Sequence, residues 1–338
     1  MDNSSAAFLR SGGLDIVVTM PLVEQMLISR IRRSAVRRGK GVVTGIGDDC
    51  AVLRAPRGHQ VLATTDFTLE GIHFRREWHS PEVVGHRCLT RGLSDIAAMG
   101  GEPLAVFLSL ALPKKLPQSW VDGFMKGLLE LAGEFKVPLA GGDTAESPTG
   151  VLADILVLGS VPKGKAILRS GAKPGDRIYV TGQLGGASAA LKELVAGKKI
   201  RPRDFARHFH PVPRIAAAGL LRGGGLATAM IDLSDGLSTD LNHVCEESRV
   251  GAQVVAAAIP KASVGRTRNK VDLSQALHGG EDYELLFTAP PGKPIPEHIA
   301  NVPVSLIGRI TRSRKVLLVN EKGGSRELKP AGWEHFRK

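Results

Sequence analysis

The chain has 338 residues, with 40 Gly, 20 Pro, 3 Cys and a formal net charge of +12 at pH 7. At about 100–200 residues per domain this length predicts two domains, and the 43% of hydrophobic residues excludes a disordered chain. No apolar run approaches the roughly 18 residues that cross a membrane and no export signal opens the chain, so no membrane partner is expected.

Three cysteines stand far apart along the chain, at Cys50, Cys88 and Cys245. They offer neither a disulfide framework nor a CxxC pair for zinc, which favours a reducing compartment and predicts a cytoplasmic protein. Residues 1–20 are expected to form a loose extension, and Met20 is a second candidate for the start of the chain.

The N-terminal half is predicted to alternate helices with short strands. Apolar residues at helical spacing predict a helix over 21–37 with a basic second face. Ser80-Pro81-Glu82 is a typical helix start, with a capping serine followed by proline, and this helix should stop at Gly100-Gly101. The other predicted elements are a loop over 45–49, a strand over 61–65 that ends at Asp66, a helix over 119–135, a strand over 137–140 that ends in Gly141-Gly142-Asp143, and a buried strand over 151–161.

Proline, glycine and lysine follow one another between 162 and 174, and this composition predicts the domain boundary. We therefore expect an N-terminal sheet-and-helix domain over 21–162 and a C-terminal α/β domain over 163–338. Strands separated by helices indicate an α/β or α+β fold with crossover connections. In the second half, strands are predicted over 177–181, 227–231, 283–288 and 315–319, and helices over 186–196, 214–221 and 237–247.

Aspartates recur beside glycine or at the ends of predicted strands. Hard cations such as Mg²⁺ take oxygen ligands and bridge carboxylates to substrate phosphates. The pattern therefore predicts an acidic pocket that binds anionic substrates through metal, although each aspartate alone fits ordinary turn chemistry. These aspartates are Asp48, Asp49, Asp66, Asp143, Asp232 and Asp235, while Asp95, on a predicted helix, is expected to face either solvent or the site.

Other phosphate-binding signatures are absent from the sequence. It has no GxxxxGK[ST] loop and no protein-kinase motif set, and 182–186 (GQLGG) departs from GxGxxG. Basic segments at 30–40 and 309–315 can bind phosphate backbones. Aromatic residues, at 4%, do not interleave with them, so a solvated basic surface is favoured and nucleic acid is not expected as a partner.

Seven longer segments carry the most specific signal. They are GIGDDCAVL (45–53), TTDFTLEGIHF (64–74), RGLSDIAAMGGEP (91–103), LAGGDT (139–144), RSGAKPGD (169–176), IDLSDGLSTDL (231–241) and HGGEDYELLF (278–287). Together, from about residue 22 to 336, they resemble the thiamine-monophosphate kinase family. That family belongs to the superfamily of aminoimidazole ribonucleotide synthetase and selenophosphate synthetase.

The resemblance implies ATP-dependent phosphorylation of thiamine monophosphate to thiamine diphosphate, with several Mg²⁺ ions as cofactors. It also implies a homodimer formed by the N-terminal domains, and an active site between the two domains of the chain. The implied metal ligands are Asp49, Thr64, Thr65, Asp66, Asp95, Asp143, Asp232 and Asp235, with Asp48 as the alternative to Asp49. The implied ATP contacts are Gly142, Asp143, Arg169 and Ser234, and the implied contacts to thiamine monophosphate are His73, Glu281 and Trp333, with Phe336 as the alternative to Trp333.

The expected nucleophile is an oxygen of the substrate's own phosphate. A phosphate monoester, with a second pKa of about 6, is mostly ionised at pH 7, so no general base is expected. Catalysis would then consist of positioning and charge neutralisation, with Asp143 and Asp235 acting through metal. Two other functions stay open: a ring-closing, ATP-dependent synthetase of the same superfamily, and a basic nucleic-acid-binding protein.

Overall fold

The computed structural model of the chain describes residues 24–35 and 41–336. The predicted extension over 1–20 and the candidate start at Met20 lie outside these residues. The N-terminal elements are α1 (Glu24–Ser34), β1 (Val42–Thr44), β2 (Val52–Leu53), β3 (His59–Leu69), α2 (Pro81–Ala98), β4 (Glu102–Pro113), α3 (Gln118–Glu134), β5 (Leu139–Ser147) and β6 (Leu152–Pro162).

Four of these strands form one sheet in the spatial order β3-β6-β4-β5. Strand β6 pairs antiparallel with β3 and β4, and β5 runs parallel to β4. Helices α2 and α3 cover one face of the sheet, where Leu89, Leu93, Phe124 and Leu128 pack with Ile155 in the core. Burying such side chains is the main favourable contribution to the stability of this domain.

Helix α2 begins and ends where the sequence predicts. The Ser80 side chain accepts a hydrogen bond from the Val83 N–H, and Pro81 takes the first helical position. The helix stops before Gly100, whose φ of +68° is open to glycine at little cost. The predicted helix boundaries are therefore confirmed.

Two glycines allow α2 and α3 to approach closely. A Cβ on Gly85 would lie 1.9 Å from the Phe124 carbonyl oxygen, and a Cβ on Gly127 would lie 1.9 Å from the Glu82 carbonyl oxygen. No side chain fits into such a gap, so the packing of the two helices depends on these glycines.

The second face of the N-terminal sheet, which we call the open face, carries exposed side chains. Val61, Phe67 and Leu156 are 53%, 55% and 36% exposed there. Asp143 belongs to the same cross-strand row as Phe67, which places it on the open face.

Asp66 lies on the opposite side of the sheet. Its cross-strand row contains Ile155 and Leu108, which are buried under the helices. Successive side chains along a strand point to opposite faces, so Asp66 faces the helices whereas Phe67 faces outwards.

The C-terminal part is built around a second sheet. The elements of this part are β7 (Arg177–Thr181), α4 (Gly186–Val195), α5 (Ala206–Phe209), α6 (Ile215–Gly223), β8 (Ala229–Asp232), α7 (Leu237–Ser248), β9 (Gly251–Val255), β10 (Ser263–Val264), β11 (Asn269–Lys270), α8 (Leu273–His278), β12 (Leu285–Ala289), β13 (His298–Ile299), β14 (Val302–Thr311), β15 (Val316–Val319) and β16 (Ser325–Glu327). The strand order of the sheet is β16-β15-β9-β14-β7-β12-β8, with β13 paired to β14. All neighbouring strands of this sheet pair antiparallel except β9 and β15, which are parallel.

The two parts of the chain share a packed boundary at the C-terminal end of α2. Ala97 belongs to a buried cluster with Ile167, Leu221 and Met230 of the second part. Arg222 on α6 donates hydrogen bonds to the Gly100 carbonyl and to the Glu102 carboxylate. Helix α2 is therefore a wall shared by both domains of this mixed α/β fold.

Three strand predictions were wrong in extent or character. Strand β3 continues to Leu69 and β5 to Ser147, so Asp66 and Asp143 lie within strands rather than at their ends. The strand predicted as buried over 151–161 buries alternate residues from Leu152 to Leu158, with Leu156 exposed on the open face, and is continuously buried only over 159–161. Strand β4 was not predicted at all, although its sequence is largely apolar.

Among the described residues, no helix has the length and apolar character needed to cross a membrane. The three cysteines are free thiols: Cys50 is exposed, and Cys88 and Cys245 are buried.

We predict that Gly127→Ala lowers the free energy of unfolding by about 1–3 kcal/mol, because its methyl group would collide with the α2 backbone. The matched control is Gly133→Ala in the same helix, where nothing lies within 4 Å of the added Cβ. That change should raise stability by up to about 1 kcal/mol through helix propensity. Chemical denaturation of the two variants checks this, and equal effects would contradict the close contact between α2 and α3.

Candidate active site

A cavity of about 660 Å³ lies between the two domains. Helix α2, strand β3 and the segment after it line one side, and the segments 232–235 and 278–283 line the other. The C-terminal tail closes part of the rim with Gly332, Trp333 and His335. The cavity is large enough for a small-molecule ligand.

Four aspartates come together on the wall of this cavity, each from a different position in the fold. Asp66 comes from β3, Asp95 from α2, Asp232 from the end of β8, and Asp235 from the loop before α7. We call these four residues the carboxylate group.

Hydrogen bonds from neighbouring hydroxyls orient two members of the carboxylate group. Thr64 donates to Asp95, and Ser94 donates to Asp232 at 2.6 Å across the domain boundary. Arg169 is close enough that its charge acts to lower the pKa of Asp95 and of Asp232, although burial outweighs it in both.

Burial and mutual repulsion make the negative charge in this group unfavourable. Burial, followed by the neighbouring Asp95 carboxylate, raises the pKa of Asp66 to about 7. The same two causes, in the same order, raise the pKa of Asp232 to about 7. Burial also raises the pKa of Asp95 and Asp235. A bound cation would relieve this repulsion.

The donor set fits Mg²⁺. All four groups are carboxylates, and hard divalent cations prefer oxygen ligands and bind through a few carboxylates together with substrate phosphates. Thr64 adds a hydroxyl oxygen beside Asp95.

The loop that carries Ser234 and Asp235 is fixed by hydrogen bonds to its backbone. Buried Asp240 accepts from the N–H groups of Asp235 and Gly236 at 3.2 and 3.0 Å. The Asp235 carbonyl accepts from the Trp333 N–H at 3.1 Å, and the Ser234 carbonyl accepts from the Glu281 N–H at 2.8 Å. Hydrogen bonds thus join the segment 232–235 to the segment 278–283 and to the C-terminal tail.

Glu281 is held by an arginine from the other domain. Arg87 on α2 donates to both oxygens of its carboxylate, at 2.8 and 2.7 Å. Burial acts to raise the pKa of Glu281, but Arg87, followed by His208 and Arg91, together outweigh it and the pKa falls to about 2. Glu281 is therefore an anion on the cavity wall, with a φ of +63° at its backbone.

His73 also lies on this wall and is neutral at pH 7. Burial, with Arg91 nearby, lowers its pKa to about 4. Its Nδ1 accepts a hydrogen bond from the Leu69 N–H at 3.0 Å, so the proton of the neutral ring is on Nε2. Among the described residues, Nε2 has no hydrogen-bond partner.

The two candidate aromatic contacts differ in position. Trp333 lines the cavity and is 52% exposed, and its ring meets His335 edge-on. Phe336 is fully exposed and is not among the residues that line the cavity.

The remaining candidate residues lie elsewhere in a single chain. Thr65 is on the open face and donates to Asp154. Gly142 and Asp143 line a separate small cavity of about 90 Å³, together with Ile46 from the loop that leads to Asp48 and Asp49. Both of these aspartates are exposed. At about 4.8 Å per strand, β5 lies three strands and about 14 Å from β3, so Asp143 does not reach the carboxylate group in the same chain.

Two arginines of the site were missed in the sequence. Arg87 and Arg91 precede Asp95 at intervals of four residues, and residues at this spacing share one face of a helix. This spacing can be read from the sequence, but only the fold shows that the α2 face carrying Arg87 and Arg91 meets Glu281.

Known proteins resemble both halves of the chain. The family models of AIR synthase related protein match residues 47–161 with their N-terminal domain and residues 173–319 with their C-terminal domain. A thiamine-monophosphate kinase of Haemophilus influenzae is 36% identical over 342 residues, which cover 94% of this chain and 99% of that protein. The chain belongs to the thiamine-monophosphate kinase family.

Solved structures of the family agree with this fold. A crystal structure of thiamine-monophosphate kinase from Stenotrophomonas maltophilia K279a has a TM-score of 0.75 and 33% identity, covering 88% of this chain and 96% of that one. AaThiL complexed with AMPPCP and TMP has a TM-score of 0.73 and 31% identity, covering 84% and 89% of the two chains.

We predict a pH-dependent and metal-dependent change in stability. The folded protein holds protons on Asp66 and Asp232 up to a pKa of about 7, whereas an unfolded aspartate titrates at about 3.9. Without metal, the stability contributed by each protonated group is therefore lost as the pH rises from about 4 through about 7. Asp232→Asn should raise the melting temperature at pH 8 without metal, and this gain should shrink towards pH 4.

Mg²⁺ should stabilise the wild-type protein at pH 8 and stabilise Asp232→Asn much less. Thermal melts with Mg²⁺ or with a chelator measure both effects. Glu130→Gln, which alters an exposed carboxylate on α3, is the control: it should change neither the pH dependence of the melting temperature nor its response to Mg²⁺. A melting temperature of Asp232→Asn that follows the wild type at every pH and metal concentration would contradict this view of the carboxylate group.

Proposed function

We propose that this chain transfers the γ-phosphoryl group of ATP to thiamine monophosphate, with release of ADP and thiamine diphosphate. The observation that carries the proposal is the carboxylate group, contributed by both domains to a cavity that His73, Glu281 and Trp333 also line. Family members with this name, and the relative complexed with AMPPCP and TMP, favour the kinase over a ring-closing synthetase. A cytoplasmic location belongs to the proposal and rests on the cysteine pattern.

Asp66, Asp95, Asp232 and Asp235 would hold Mg²⁺. When bound there, Mg²⁺ would neutralise charge on the phosphates of ATP and of the acceptor, which otherwise repel each other. The protein itself positions the reactants: Thr64 and Ser94 fix two of the carboxylates, and the Ser234 loop is held against Glu281. Arg169, beside Asp95 and Asp232, can add donors to a phosphate of ATP.

The part of the cavity lined by His73, Glu281 and Trp333 suits the thiamine part of the acceptor. A thiazolium ring is cationic, and the face of Trp333 would attract it with about 0.5–2 kcal/mol. The anionic Glu281 adds attraction for the same cation. His73 is neutral, and its Nε2–H, unpaired among the described residues, can donate a hydrogen bond, while its Nδ1 lone pair is taken by the Leu69 N–H and is not available to accept a proton. This is consistent with an acceptor phosphate that needs no general base.

A homodimer through the open face completes the proposal. Gly142 and Asp143 lie on β5, outside the reach of the carboxylate group of the same chain, and Ile46 of the loop that leads to Asp49 lines the same small cavity. The open face exposes Val61, Phe67 and Leu156, as expected for a surface that another copy covers. We infer that the pairing of two copies, rather than the single chain, supplies an Asp143 to each carboxylate group.

We predict that the protein releases ADP from ATP only when both thiamine monophosphate and Mg²⁺ are present. Asp232→Asn should lower kcat by at least about 100-fold, because the charge that holds the cation is lost. A coupled assay of ADP release measures this, with Glu130→Gln as the active control. Equal ADP release with and without thiamine monophosphate would contradict the proposed reaction.

We further predict that Asp143→Asn and Asp235→Asn are each inactive, and that an equimolar mixture of the two regains activity. Random exchange makes half of the dimers contain one copy of each variant. If each site takes Asp143 from one copy and Asp235 from the other, one of the two sites in such a dimer has both wild-type aspartates. About one quarter of the wild-type activity should then return after subunit exchange, which statistical pairing of the two copies requires. A mixture that stays inactive, with exchange verified by mass spectrometry, would contradict a site shared between copies.

A further inference from the structure

Helix α2 presents two arginines to the cavity, and their partners differ sharply. Arg87 is fully engaged: it donates to both oxygens of Glu281, to the His208 carbonyl at 2.8 Å and to the His73 carbonyl at 3.2 Å. The contacts to Glu281 and His208 join the two domains, and together with the His73 carbonyl they engage both terminal nitrogens of the guanidinium.

Arg91, one turn later, is partly buried and poorly paired. Its side chain is 19% exposed, and its carboxylate neighbours Glu281 and Asp66 are both 3.7 Å away. Among the described residues, its guanidinium donates one hydrogen bond, to the Tyr283 hydroxyl at 3.4 Å, and its Nε has no partner. Charge-assisted hydrogen bonds are normally about 2.7–2.9 Å long. A partly buried guanidinium with such long contacts has donors available for an anion.

The position of Arg91 indicates which anion it would bind. It lines the cavity between Asp66, a member of the carboxylate group, and the wall formed by His73, Glu281 and Tyr283. An acceptor whose cationic ring lies against Glu281 and Trp333 would place its phosphate between that wall and the carboxylate group. His73 Nε2, which has no partner within the described part of the chain, is a second donor that lines the same cavity.

A phosphate near Asp66 needs a positive charge to offset repulsion from that carboxylate. We propose that Arg91 binds the phosphate of the acceptor substrate and thereby determines the preference for thiamine monophosphate over thiamine. This assignment rests on the proposed function, because it takes the acceptor from it. A guanidinium suits the role because its planar donors match a phosphate in a two-point contact.

The decisive comparison is equilibrium binding of thiamine monophosphate and of thiamine, measured by calorimetry with Mg²⁺ and without nucleotide. In Arg91→Gln, the affinity for thiamine monophosphate should fall about 10–100-fold, the effect of losing hydrogen bonds from a charged group. The affinity for thiamine should stay unchanged or rise, because the variant removes a positive charge near a cationic ring. Arg91→Lys keeps the charge but not the two-point contact, so its affinity for thiamine monophosphate should lie between those of the wild type and Arg91→Gln.

Arg76→Gln is the matched control, since it removes the same charge from an exposed arginine that pairs with Glu70 outside the cavity. It should change neither affinity. In steady-state kinetics, Arg91→Gln should raise the KM for thiamine monophosphate by a similar factor and leave the KM for ATP unchanged. Thermal melts identify a variant that fails to fold, in which case Arg91→Lys carries the comparison.

Three results would overturn the assignment. Equal loss of affinity for thiamine and thiamine monophosphate would mean that Arg91 only supports the wall. If Arg91→Gln lost affinity only for AMPPCP, measured in a parallel titration, Arg91 would instead contact ATP. If Arg91→Gln kept the wild-type preference for thiamine monophosphate over thiamine, other groups would bind the phosphate. A wild-type protein that neither phosphorylates thiamine monophosphate nor distinguishes it from thiamine would overturn the proposed function itself, and the assignment with it.

Discussion

Carboxylates that face one another in a buried place repel, and the form of this site follows from how the protein tolerates that repulsion. Asp66, Asp95 and Asp232 each lie on a regular element whose packing leaves the side chain little freedom to move away. Hydroxyls satisfy one oxygen each on Asp95 and Asp232, but a hydroxyl supplies no positive charge. The remaining negative charge is what makes the cavity a place for cations and for the phosphates that accompany them.

Helix α2 couples the stability of the fold to the geometry of the site. Leu89 and Leu93 pack into the core of the N-terminal domain, while Arg87, Ser94 and Asp95 meet the other domain or the cavity. A helix fixed by its apolar face holds its polar face in one place, which is the preorganisation that phosphoryl transfer requires. Movement of α2 relative to the C-terminal domain would separate Ser94 from Asp232 and Arg87 from Glu281 together.

The sequence allowed most helices to be predicted, because helix caps and glycine stops are local signals, whereas β4, β9 and β14 were missed. Ser80 and Gly100 define α2 within the chain itself, without any distant partner. Strand β4 was missed because a short apolar run has no period that separates a strand from a buried helix. Strand ends were misplaced at Asp66 and Asp143 because pairing with β6 and β4 extends both strands through polar residues.

The site was only partly accessible to the same reasoning. Aspartates beside glycine indicated metal chemistry, and the resemblance to a family supplied their roles. The division of those residues into two groups could not be foreseen, since it depends on which face of a sheet each side chain occupies. A pair such as Arg87 and Glu281, separated by 194 residues, has no local signal at all.

The central claim is that Asp66, Asp95, Asp232 and Asp235 hold divalent cations between the two substrates. Anomalous scattering from Mn²⁺, in crystals grown with AMPPCP and thiamine monophosphate, tests it most directly. The account predicts anomalous peaks at coordination distance, about 2.1 Å, from carboxylate oxygens of this group. Peaks remote from all four carboxylates, with both substrates bound in the cavity, would contradict it.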